Sequence, residues 1–69
     1  MTPDEGRALW QAVLDEALEG NEIASRVLHH LIEGFMVDMI NMSMRRDSFA
    51  LTTGQRIETL TEALQEDTQ

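Results

Sequence analysis

The chain of 69 residues contains no cysteine and no lysine. The absence of cysteine excludes disulfides and thiolate zinc sites, and it leaves His29 and His30 as the only imidazole ligands. A domain near this size leaves roughly 40% of the surface of its unfolded chain exposed when it folds alone. Small domains commonly make up for this with disulfides, metals or association. Because disulfides are excluded, we expect this chain to associate with another protein chain.

The absence of lysine leaves five arginines against thirteen acidic residues, which gives a formal net charge of −8. A chain of this charge repels phosphate backbones, so we expect no direct binding to DNA or RNA. The start, Thr2-Pro3-Asp4-Glu5, is acidic where a secretory signal is basic, and no apolar segment follows it. Polar side chains interrupt the most apolar stretch, residues 27–44, which argues against a membrane span. The sequence therefore predicts a cytoplasmic protein.

Apolar residues at helical spacing predict a single all-α domain over residues 1–69. We expect helix 1 at about 3–19, a long helix 2 at about 22–46 and a short helix 3 at about 53–66. The short connection makes the first two helices an antiparallel hairpin. The predicted architecture is a three-helix protomer that forms a helical-bundle homodimer.

The expected helix ends rest on capping residues. Thr2 and Glu5 have the spacing of a capping box, with Pro3 at the first helical position. Gly20 is typical of a helix end, and Asn21 can cap the next helix. These residues predict where helix 1 begins and where it meets helix 2.

Two further positions have a local interpretation. Thr52 and Gln55 form a second capping box, after a short connection that begins at Asp47. Gly34 falls inside the predicted helix 2, at a cost of about 1 kcal/mol relative to alanine. Close approach of helix 1 or a hinge would explain a glycine there.

The apolar stripe of helix 2 changes direction along the helix. From Ile23 to Phe35 it forms one face, but beyond Met36 the apolar residues occupy the side that was polar before. Helix 1 is too short to cover helix 2 beyond about Asp38. An isolated hairpin would leave this second apolar face exposed, which is typical of a contact site.

We therefore predict that the second half of helix 2 binds a second copy of the chain, and that helix 3 crosses to the partner. Four methionines lie within nine residues of this segment, and their flexible side chains suit a recognition surface. The predicted interface residues are Phe35, Met36, Val37, Met39, Ile40, Met42, Met44, Phe49, Ile57, Leu60 and Leu64.

The sequence offers no catalytic residues. Ser25, Ser43 and Ser48 lack a glycine-framed nucleophile turn, and neither cysteine nor lysine is present as a nucleophile. We expect a non-enzyme without a cofactor that acts by protein contact, as an adapter, an inhibitor or a phage-type or bacterial modulator. Its main expected partner is itself, with a second protein as an alternative partner.

Two other functions stay open. One is an acidic mimic of nucleic acid that inhibits a DNA- or RNA-binding protein. Its candidate carboxylates are Glu5, Asp15, Glu16, Glu19, Glu22, Glu58, Glu62 and Glu66. The other is a metal-dependent enzyme assembled across subunits around His29, His30 and Glu33, although adjacent histidines on a helix point about 100° apart.

The one basic cluster, Arg45-Arg46, has two interpretations. Cations near the carboxyl end of a helix complement the helix dipole, which is the simpler explanation for two arginines at the end of helix 2. Recognition of an acidic group or a phosphate is the functional alternative.

Overall fold

The computed structural model describes residues 1–67, and within this range the chain forms four helices and no strand. The helices are α1 (Pro3–Leu18), α2 (Glu22–Ile32), α3 (Val37–Ser43) and α4 (Asp47–Asp67). The predicted all-α class is confirmed, whereas the predicted count of three helices was wrong. The last two residues of the predicted 1–69 domain lie outside the described residues.

Helix α1 begins as its capping residues predict. The Thr2 hydroxyl accepts a hydrogen bond from the backbone N–H of Glu5 at 3.2 Å, and Pro3 occupies the first turn. The same hydroxyl donates to the Glu5 carboxylate at 3.1 Å. The carboxylate therefore binds the cap hydroxyl, not the backbone amide that a capping box uses.

Gly20 turns the chain from α1 into α2. Its φ of 95° lies in the left-handed region. The N–H of Gly20 donates to the Ala17 carbonyl and the N–H of Asn21 to the Glu16 carbonyl, the two bonds of a Schellman motif. The Asn21 side chain then accepts from the N–H of Ala24 at 2.9 Å and caps α2. Sequence and structure agree on this turn.

The single long helix predicted at 22–46 was wrong. Helix α2 ends at Ile32, Gly34 has a φ of 87°, and Met36 is extended before α3 begins. No atom lies within 4 Å of a Cβ built at Gly34, so close approach of helix 1 does not explain this glycine. Its left-handed backbone does, because that conformation ends a helix. The apolar stripe changes direction here because the chain starts a new helix.

Helix α4 begins earlier than the predicted helix 3 at 53–66. Residues 47–52, interpreted as a connection with a capping box, are helical. Thr52 does not cap a helix; its hydroxyl donates to the Ser48 carbonyl one turn earlier at 2.9 Å. The longer helix brings Ala50, which is completely buried, against α1.

Helices α1 and α4 cross at backbone contact distance through three small residues: Gly6, Ala50 and Gly54. A Cβ at Gly6 would overlap the Ala50 carbonyl and lie 2.8 Å from its carbon. A Cβ at Gly54 would lie 2.6 Å from the Gly6 Cα. Any larger side chain at either glycine would therefore push the helices apart.

All four helices contribute to one hydrophobic core. Its buried members are Trp10, Val13, Val27, Ile40, Met44, Ala50 and Ile57. The indole N–H of Trp10 donates to the Asn41 side-chain oxygen at 2.6 Å, which ties α3 to α1. Short α3 thus has a fixed orientation: Ile40 and Met44 face the core.

Arg7 holds the corner between α3 and α4. Its Nε donates to the Met44 carbonyl at 2.8 Å, and one terminal nitrogen donates to the Arg45 carbonyl at 3.1 Å and the Asp47 carboxylate at 2.6 Å. The other terminal nitrogen donates to Asp4 at 2.8 Å. The hydrogen bond that the Arg7 guanidinium donates to Asp47 is the main cause of its raised pKa. Arg7 therefore stays charged and links three helices.

Candidate interaction surface

Among the described residues, seven large apolar side chains remain exposed, and five of these lie together, apart from Met1 and Leu18. These five cluster around α3 and form what we call the methionine patch: Phe35, Met36, Met39, Met42 and Phe49. Their exposed fractions run from 36% at Phe49 to 75% at Met36. Contiguous exposed apolar surface of this kind is typical of contact sites between proteins.

The remaining predicted interface residues lie elsewhere. Ile40, Met44 and Ile57 are buried in the core of their own chain, so they do not form part of its exposed apolar surface. Val37, Leu60 and Leu64 are half-buried and pack against that core. Helix α4 packs on α1 and α2 of its own chain, where the prediction had the third helix cross to a partner.

A shallow groove continues the methionine patch between α2, α3 and α4. The apolar residues that line it are Leu31, Phe35, Met39, Ile40 and Phe49. Its volume is about 190 Å³. Sites for drug-sized molecules usually enclose roughly 300–1,000 Å³, so the groove fits one or two side chains of another protein better than a separate ligand.

Charged residues of opposite sign stand at the two ends of the exposed face of α3. Asp38 lies in its first turn, and Arg45 lies two residues after its last residue, Ser43; both Asp38 and Arg45 are exposed. The N–H of Arg45 donates to the Met42 carbonyl three residues earlier, which places Arg45 in line with Met42. Asp38, Met42 and Arg45 thus follow one another along a single line.

Arg45 and Arg46 do not bind the carbonyls at the end of α3. Arg7 binds the carbonyls of Met44 and Arg45 instead. Among the described residues, the ion pairs of arginine involve Arg7 and Arg26. The side chains of Arg45, Arg46 and Arg56 therefore have no ion pair within the described part of the chain. Arg46 and Arg56 lie beside Phe49 and the groove.

The weak metal candidates do not form a site in one chain. His29, His30 and Glu33 are exposed, and the two imidazole rings lie 6.4 Å apart at 67°. Glu33 follows the last residue of α2 with a ψ of 112°, so the helical spacing to the histidines does not hold. Within residues 1–67, no three histidines or carboxylates stand close enough to hold a metal ion.

The candidate carboxylates of the nucleic-acid mimic are exposed. Glu58, Glu62 and Glu66 follow one another along α4, and Glu22 pairs with Arg26 at 2.9 Å. Exposed carboxylates at this spacing are usual on a solvated helix. The arrangement therefore does not favour the mimic, which stays a hypothesis.

Sequence reasoning missed three residues that position the methionine patch. Gly6 allows α4 to approach α1, Arg7 holds the corner after α3, and Asn41 binds Trp10. The spacing of Ala50 and Gly54, four apart on one helix face, is the one signal that could have indicated a close helix crossing. Apart from Asp4, the partners of Arg7 lie more than thirty residues away, as does the partner of Asn41, so local sequence patterns do not indicate them.

No protein-family model, no curated protein and no solved structure matches this chain. In the described range, no helix has both the length and the apolar character needed to cross a bilayer.

Proposed function

We propose that this protein is a small interaction module that forms a homodimer through the methionine patch and regulates other proteins by contact, as an adapter or inhibitor. The observation that carries the proposal is the exposure of Phe35, Met36, Met39, Met42 and Phe49 beside a core that the same chain has already closed.

The size of the patch is sufficient for association. The exposed fractions of its five side chains correspond to about three whole side chains, and full burial of each Phe or Met contributes about 1.5–3 kcal/mol. Two patches that bury each other would gain about 9–18 kcal/mol, against a cost of association of about 4–15 kcal/mol. The difference between the gain and the cost reaches about 14 kcal/mol and has a midpoint of about 4 kcal/mol. A dissociation constant of micromolar order, which requires about 8 kcal/mol, therefore lies in the favourable half of this range.

A second copy of the chain is the partner that we propose for the methionine patch. Most soluble oligomers are homo-oligomers, and the twofold dimer, in which the same patch meets itself, is the commonest. Methionine side chains are flexible enough to pack against their own copies. The volume of the adjoining groove suits an inserted side chain such as Phe35 or Met36 from the second copy.

The proposal is tested by the molar mass in solution of two matched variants. Met39→Asp combined with Met42→Asp places two charges in the patch, and both side chains are more than half exposed, so the fold tolerates the change. Leu18→Asp is the control, because Leu18 is 87% exposed at the far end of α1. Size-exclusion chromatography with light scattering gives the mass, and circular dichroism confirms that each variant is folded.

We expect the unmodified chain and Leu18→Asp to be dimers and the double variant to be a monomer. A double variant with the same mass as the unmodified chain would refute the role of the methionine patch. A dimer lost in Leu18→Asp alone would place the interface at the end of α1.

A further inference from the structure

We propose that α3 pairs antiparallel with α3 of a second copy, and that Asp38 of each chain binds Arg45 of the other. The inference rests on the proposed function, because it specifies how the two methionine patches meet. It follows from the line formed by Asp38, Met42 and Arg45 on the exposed face of α3.

The exposed face of α3 is complementary to itself in one orientation only. Asp38 and Arg45 are seven residues apart, about 10 Å along the helix axis, with Met42 between them. In an antiparallel pair whose twofold axis passes near Met42, each Asp38 lies opposite an Arg45. In a parallel pair, Asp38 faces Asp38 and Arg45 faces Arg45. Like charges held together at an interface oppose binding, so the antiparallel orientation is favoured.

The pairing also opposes the electrostatic repulsion between two copies of the chain. Two copies with a formal charge of −8 repel each other at long range. Neither Asp38 nor Arg45 has an ion pair within the described residues, so both are available to a second copy. The two symmetric Asp38–Arg45 contacts place attractive charges beside the apolar contact. Exposed ion pairs contribute little affinity, and their main effect is to set orientation.

Charge reversal tests the pairing. Asp38→Arg places two arginines opposite each other at each end of the α3 pair, four like charges in all, and is expected to raise the dimer dissociation constant about tenfold or more. Arg45→Asp is expected to do the same. The combined variant Asp38→Arg with Arg45→Asp restores complementary pairs at unchanged net charge, and its dissociation constant is expected to return to within about threefold of the unmodified chain.

Glu62→Arg is the matched control for Asp38→Arg. Both substitutions change the net charge by the same amount, but Glu62 lies on α4 outside the methionine patch. If only the overall repulsion mattered, both variants would strengthen the dimer. The proposed pairing predicts opposite results: Glu62→Arg leaves the dimer equally strong or stronger, and Asp38→Arg weakens it. Sedimentation velocity gives each dissociation constant.

The absence of cysteine allows a second, geometric test. In the antiparallel pair two Met42 positions lie beside the axis, whereas two Asp38 positions are separated by the seven-residue length of the pair. Met42→Cys is therefore expected to form a disulfide-linked dimer on mild oxidation, and Asp38→Cys is not. A parallel pair would link both.

The outcomes separate the pairing from the proposed function. The pairing would be overturned if the charge reversals gave the same dissociation constant as Glu62→Arg, or if the combined variant did not restore the dimer. In either case the methionine patch would remain the proposed interface. An unmodified chain that stays monomeric would overturn both.

Discussion

Replacement of Gly6 by alanine tests the helix crossing that supports the whole fold. Alanine is favoured over glycine in helices by about 1 kcal/mol, so local propensity alone predicts that Gly6→Ala stabilises the protein. The structure predicts the reverse. The new Cβ would lie 2.8 Å from the Ala50 carbonyl carbon, and carbon atoms pack best at about 3.5–4.0 Å. The two backbones must therefore separate by about 1 Å.

The expected loss can be estimated from this displacement. Overpacking of a core costs about 1–3 kcal/mol, and the upper end applies because both clashing groups are backbone or attached to it. After the gain in helix propensity, a net destabilisation of about 2 kcal/mol remains. In a domain of this size, that loss lowers the melting temperature by about 8–16 °C.

The assay is urea unfolding followed by circular dichroism at one protein concentration, because association makes stability depend on concentration. Ala8→Gly is the matched control, since Ala8 is exposed on the same helix. It makes the opposite chemical change and is expected to cost about 1 kcal/mol. Helix propensity predicts opposite effects for Gly6→Ala and Ala8→Gly. If both variants lose stability, the close crossing of α1 and α4 at Gly6 explains the loss in Gly6→Ala. A Gly6→Ala variant as stable as the unmodified chain would refute the close contact with Ala50.

Three further predictions concern the contacts that place α3. Asn41→Ala removes the acceptor of the Trp10 indole N–H and is expected to lower the free energy of unfolding by about 1 kcal/mol. The fluorescence of the single tryptophan reports unfolding, and an unchanged unfolding midpoint would contradict the hydrogen bond. Arg7→Gln is expected to lower the melting temperature clearly more than Arg26→Gln, because Arg26 makes one exposed ion pair within α2. Equal effects on the melting temperature would refute the role of Arg7 between α3 and α4. Gly34→Ala is expected to cost about 1–2 kcal/mol through its left-handed backbone and Gly34→Asn less, whereas a stabilised alanine variant would support a continuous helix.

Local signals were enough to predict the first half of the fold. The Thr2 cap, Pro3, Gly20 and Asn21 act within a few residues of themselves, and the structure shows each at a helix end. The all-α class followed from apolar spacing, which the structure also bears out.

The second half could not be predicted in the same way, because two causes produce the same pattern. A stripe that changes direction along a helix is explained either by a second partner or by a break between two helices. Gly34 was placed inside one long helix and explained by close approach of helix 1 or by a hinge, whereas its left-handed conformation ends the helix and provides the break. The break accounts for Ile40 and Met44, which turn into the core.

The break does not account for the methionine patch. Met36, Met39 and Met42 stay exposed on α3 and its preceding residue, so this part of the predicted interface keeps its basis in the structure. The beginning of α4 was missed for a different reason. The Thr52 capping box is a local signal, whereas the burial of Ala50 against Gly6 is a contact between distant segments that outweighs it.

Sedimentation equilibrium of the unmodified chain over a range of concentrations tests the central claim most directly. The exposed methionine patch predicts a mass that rises with concentration from 7.8 kDa towards twice that value, with a dissociation constant of roughly micromolar order. A mass that stays at 7.8 kDa up to concentrations far above this value would contradict the claim that a second copy covers the patch.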